Sequence, residues 1–74
     1  MAETNMNLRG LKCPLPALKT RKALKGLKAG DTLVIECTDP LAAIDIPNLL
    51  RETGDMLEDT RHETDTITFR IRKR

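Results

Sequence analysis

Two stretches of this chain alternate strictly between apolar and polar positions, and they constrain the fold more than any other feature. In TLVIECT (32–38), Leu33, Ile35 and Cys37 fall on one side and Val34, Glu36 and Thr38 on the other. In TITFRIR (66–72), Ile67, Phe69 and Ile71 share one side. A period of two marks a strand with one buried face. Such a face must be covered, and the rest of the chain offers helices for the purpose.

From Pro14 to about Gly26, Ala17, Thr20, Ala23, Leu24 and Leu27 recur at helical spacing, while Lys19, Lys22 and Lys25 fall elsewhere. Ala29-Gly30-Asp31 supplies a helix stop and a turn. Asp39-Pro40 and Asp45-Ile46-Pro47 each pair a cap residue with a nearby proline. They predict one loose turn from Pro40, then a helix from about Ile46 to Thr53, stopped by Gly54. Met6-Asn7-Leu8 reads as a short strand ended by Arg9-Gly10, and MLEDTRHET (56–64) as a weak one. Asp65 lies in the short link that makes a hairpin of the last two strands. The expected order is β-α-β-α-β-β, an α/β (α+β) two-layer sandwich with both helices on one sheet face.

A chain of 74 residues makes one domain, 1–74, and buries only about 60% of its unfolded surface. Phe69 is its sole aromatic residue, so the core is aliphatic. No apolar run reaches membrane-spanning length, and MAETNMN is no signal peptide. Two cysteines, Cys13 and Cys37, make no disulfide framework. The expected setting is cytoplasmic, with reduced thiols and a monomeric chain.

The net charge of +2 hides an asymmetry: residues 1–30 carry seven Lys/Arg against Glu3, whereas residues 31–65 carry ten carboxylates against Arg51 and Arg61. The basic first third surrounds Cys13. Such a patch can steer an acidic protein, a nucleic acid or a small anion, or simply be a solvated helix face.

Cys13 itself precedes Pro14-Leu15-Pro16. Proline is tolerated in a first helical turn, and it pushes the residue before it out of the α region, as a cap requires. Gly10, Pro14 and Pro16 therefore fix the turn that presents Cys13 at or just before the helix start. The N–H groups of Leu15 and Ala17, the helix dipole, Arg9 and Lys12 would all favour a thiolate, with a pKa lowered from about 8.5. The plainer alternative is a cysteine that only packs or caps. Cys37 points inward by its alternation, although at the same sheet end, where a resolving role stays open.

LRGLKCPLPALKTRKAL (8–24) resembles the signature of the TusA (SirA-like) family, whose mark is Cys-Pro-x-Pro at the start of the first helix. The "GD" turn before strand two, the "TDP" after it, the "DIP" of the second helix and the final strand also match, so the resemblance runs nearly end to end. Asn7 stands where members commonly carry Asp. The resemblance implies a four-stranded mixed sheet in the order 1-2-4-3. It implies that Cys13 accepts a sulfane sulfur as a persulfide, acting as a sulfur carrier or sulfurtransferase without a cofactor. The partners implied are a protein donor, such as a cysteine desulfurase or rhodanese, and a protein acceptor in tRNA thiolation, cofactor sulfuration or sulfur metabolism.

Leu15 and Leu18 lie off the buried helical face beside Cys13 and, with Arg21, Lys22 and Lys25, form the expected docking surface. The reading from a different class is a nucleic-acid-binding or regulatory module using the basic helix. The absence of surface aromatics removes base-stacking platforms and disfavours that reading. His62 with Cys13 and Cys37 is too small and wrongly spaced a set for zinc. Asp39 and Asp45 read as helix caps rather than catalytic acids.

Overall fold

The alternating segments become the two central strands of one sheet. The computed structural model describes residues 2–74, arranged as β1 (Glu3–Leu8), α1 (Leu15–Lys25), β2 (Thr32–Cys37), α2 (Ala42–Thr53), β3 (Met56–His62) and β4 (Ile67–Arg72). The sheet order is β1-β2-β4-β3, with β1 parallel to β2 and the other pairs antiparallel. This is the expected four-stranded mixed sheet of an α+β fold.

Leu33, Ile35 and Cys37 of β2 and Phe69 and Ile71 of β4 are fully buried. They form one core with Leu8, Leu24 of α1, and Ala42, Ile46 and Leu50 of α2. The helices thus cover the apolar face. The opposite face carries ion pairs: Arg70 bridges Glu3 at 2.9 Å and Glu58 at 3.6 Å, and Arg72 meets Glu58 at 2.9 Å. Exposed pairs of this kind contribute about 0–1 kcal/mol each.

Two elements differ from expectation, and a third explains its own weak signal. β1 begins at Glu3 rather than Met6, its polar residues paired from Glu3 opposite Thr32 to Leu8 opposite Cys37. An edge strand with an open face needs little apolar alternation, so its start left no signal. α2 runs unbroken from Ala42, with Pro47 inside it. Proline there removes one backbone bond, and the burial of Ile46, Leu49 and Leu50 offsets that loss. β3 carries a bulge between Leu57 and Asp59, which breaks its alternation and explains its faint pattern. Gly54 ends α2 in the left-handed region, at φ 81, where glycine is favoured.

A chain of this size has a folding stability of roughly 4–11 kcal/mol. Phe69→Ala should therefore remove roughly 3–5 kcal/mol, a large share of the total. Urea unfolding should show a greatly lowered midpoint for it, against a shift within about 0.5 kcal/mol for the exposed Arg61→Ala.

Candidate functional site

Parallel pairing places the ends of β1 and β2 side by side, so the segments that follow them run together. The Gly10 N–H donates to Thr38 Oγ1 at 2.8 Å, and the Cys13 N–H donates to Asp39 Oδ2 at 2.6 Å. Gly10 holds φ at 79, a conformation that side chains resist, although a Cβ there would meet nothing within 4 Å. Asp39 also accepts the Leu41 N–H at 3.0 Å, through Oδ1. The Cys13 and Leu41 N–H groups, with the charge of Lys12, hold the Asp39 carboxyl below the usual carboxylate range. Asp39 is thus a strap between two loops as well as the start of the turn into α2.

Pro14 occupies the N-cap position of α1 and follows Cys13 through a cis peptide bond. Pro16, in the first turn, is buried. The Leu15 N–H donates to the Lys12 carbonyl at 2.9 Å. That donor, expected to face the sulfur, is taken.

Cys13 is exposed, and its Sγ donates to Asp45 Oδ2 at 2.7 Å. Asp45 was expected as a helix cap; it lies inside the first turn of α2 and reaches across to the thiol. The hydrogen bond to Asp45 pushes the Cys13 pKa up. Desolvation and the negative charges of Asp45 and Asp39 act the same way. The direction is opposite to the one expected from the basic sequence around Cys13. Arg9 is paired with Glu36 instead of the sulfur, and the charge of Lys12 bears on Asp39. Neither offsets the two carboxylates.

Cys13 sits between two concavities. The larger, about 450 Å³, is lined by Gly10, Leu11, Lys12, Asp39 and Leu41. The smaller, about 260 Å³, is lined by Ala17, Leu18, Asp45, Leu49 and Glu52. Leu15 and Leu18 are 44% and 54% exposed, on the outer side of α1 as expected. Leu41 and Ile44, 51% and 60% exposed at the start of α2, extend the apolar surface and were missed. Their spacing of three, out of phase with Ala42 and Ile46, is the signal that a continuous α2 would have given. Lys22 and Lys25 are exposed in the last turn of α1. Arg21 instead pairs with Glu52 of α2 at 2.7 Å, stitching the two helices. Cys37 is fully buried, and burial pushes its thiol up to about 11.

The family model described as sulfurtransferase TusA matches residues 4–73. The chain belongs to the TusA family. It is 31% identical over 71 residues to the sulfur carrier protein TusA of Allochromatium vinosum, covering 96% of this chain and 93% of that one. A protein of Neisseria meningitidis serogroup A, provisionally named a sulfur carrier, is 36% identical over 69 residues, 93% of each chain. A similarly named Bacillus subtilis protein, YrkF, is 35% identical over 68 residues, 92% of this chain but 37% of its own length. Among the described residues of this TusA-family chain, no helix is long and apolar enough to cross a membrane.

A raised thiol pKa means the protonated form dominates at neutral pH, and the thiolate grows as pH rises toward and past the ordinary thiol value. Iodoacetamide alkylation of Cys13 should therefore climb about tenfold per pH unit between pH 7 and 8.5 with no plateau. Native Cys37 should stay unmodified. A plateau below pH 8 would contradict this electrostatic account.

Proposed function

We propose that this chain, as one TusA-like domain, is a cytoplasmic sulfur-relay protein whose Cys13 Sγ carries sulfane sulfur as a persulfide. The observation that carries the reading is the placement of an exposed Cys13, in the Cys-Pro-Leu-Pro turn of a TusA-family chain, between two open concavities. A protein donor of the cysteine desulfurase or rhodanese kind loads it, and a protein acceptor unloads it.

The chemistry is redox-neutral. The Cys13 thiolate attacks the outer sulfur of the donor's persulfide, and a new S–S bond forms at Sγ. The donor's own S–S bond breaks, and its electron pair leaves on the donor's cysteine as a thiolate. In unloading, the acceptor thiolate attacks the outer sulfur on Cys13, and Cys13 leaves as the thiolate. A thiol of high pKa is a strong nucleophile once ionised but a poorer leaving group. Reprotonation of Sγ against Asp45 then favours unloading.

Gly10, Pro14 and Pro16 hold the turn that presents the sulfur. Leu15 and Leu18, joined by Leu41 and Ile44, supply an apolar rim for partner docking. Lys22 and Lys25 add charge that raises encounter rates with an acidic partner. Arg21 contributes through its hold on α2.

After incubation with a cysteine desulfurase and cysteine, the intact protein should gain the mass of one sulfur, mapped to Cys13. Cys13→Ser should abolish the gain; equal loading of Cys37 would refute the assignment. Leu18→Asp should slow transfer at all ionic strengths with the fold retained. Charge reversal at Lys22 and Lys25 should slow it chiefly at low salt. Wild-type transfer rates in both variants would exclude this face from docking.

A further inference from the structure

The geometry points to Asp45 as the residue that biases Cys13 toward giving sulfur up: its carboxylate binds the thiol form of Cys13 and repels the persulfide form. This rests on the reading of Cys13 as the sulfur-bearing residue. In the unloaded protein Sγ carries a proton and donates it to Asp45 Oδ2 at 2.7 Å. In the loaded protein Sγ is bonded to Cβ and to the outer sulfur and has no proton to donate. That hydrogen bond is lost on loading. The outer sulfur of an alkyl persulfide is more acidic than the parent thiol, so it adds an anion beside Asp45.

Among the described residues, no cation near the sulfur reverses this balance. Asp45 faces it from α2, and Asp39, which binds the Cys13 N–H, from the loop after β2. Lys12, on the same loop as Cys13, bears on Asp39. Arg9 is paired with Glu36, and Arg21 of α1 with Glu52. The raised pKa of the Cys13 thiol has the same cause.

The equilibrium concerned is Cys13–S–S⁻ + R–SH ⇌ Cys13–SH + R–S–S⁻, in which atoms, charge and oxidation state balance. Asp45 stabilises the right-hand side by a hydrogen bond and destabilises the left by repulsion. A role as general base is the weaker alternative. Carboxylates are weaker bases than thiolates by about four to five pKa units, so the proton stays on sulfur at rest. The effect of Asp45 is therefore on the equilibrium. A carrier built this way passes sulfur on instead of storing it.

The test is the loaded fraction of the full chain at equilibrium in a buffer of glutathione and glutathione persulfide, read by intact mass. Asp45→Asn and Asp45→Ser should raise the loading constant roughly two- to fivefold over wild type, by loss of an exposed charge contact. Added salt should narrow the gap, and Asp45→Glu should stay near wild type. The alkylation midpoint of Cys13 should fall in both neutral variants. Equal or lower loading of both neutral variants would overturn the role of Asp45. Failure of wild type and variants alike to load would remove the carrier reading and this inference with it.

Discussion

The site depends on one constraint, the parallel pairing of β1 with β2. Leu8 lies opposite Cys37, so the chain leaves both strands at the same end of the sheet. Parallel neighbours need a crossover, and α1 supplies it. Both helices therefore start at that end, within reach of each other's first turns. The bonds from Gly10 to Thr38 and from Cys13 to Asp39 fasten the two exits together. Only then can a thiol before α1 meet a carboxylate in α2, 32 residues away in sequence.

That encounter decides the electrostatics against the local sequence. Counted by residue, the surroundings of Cys13 are basic, yet charge number matters less than contact. A hydrogen bond at 2.7 Å acts directly on the sulfur, whereas exposed side chains at a distance are screened within about 8 Å at physiological salt. Helix α1 offers little compensation. Pro14 and Pro16 have no N–H, and the Leu15 N–H is bound to the Lys12 carbonyl. The prolines that present the cysteine thus remove two of the donors a helix start would otherwise offer. The same motif exposes the sulfur and leaves its anion poorly supported.

The legible parts of the fold were those written locally. Alternation in 32–38 and 66–72, the helical spacing after Pro14 and the stop at Gly54 all depend on neighbours within a turn or two. β1 hid its first half because Glu3, Thr4 and Asn5 are exposed at an edge, where pairing rather than side-chain burial holds them. The start of α2 was hidden by Pro47, which reads as a first-turn residue but is tolerated mid-helix by packing. The candidate cysteine was legible from its prolines. Its partner was not: Asp45 looks like any acidic residue near a helix start, and only the tertiary fold aims it at Sγ.

The surface around Cys13 combines an apolar rim with charges of both signs. Leu15 and Leu18 rise from α1, and Leu41 and Ile44 from α2. Exposed Lys19, Lys22 and Lys25 lie along α1, whereas α2 contributes Asp45 at the thiol and Glu52 in the bridge to Arg21. Apolar contact is short-ranged and indifferent to orientation, so the rim alone would accept a partner in any rotation. Charges of both signs beside the rim would limit that freedom in the proposed docking, because a misrotated partner brings like charges together. For the proposed transfer of sulfur between two cysteines, rotation matters as well as adhesion. In the proposed relay role, the contrast between the lysines of α1 and the carboxylates at the thiol would give a partner a direction of approach.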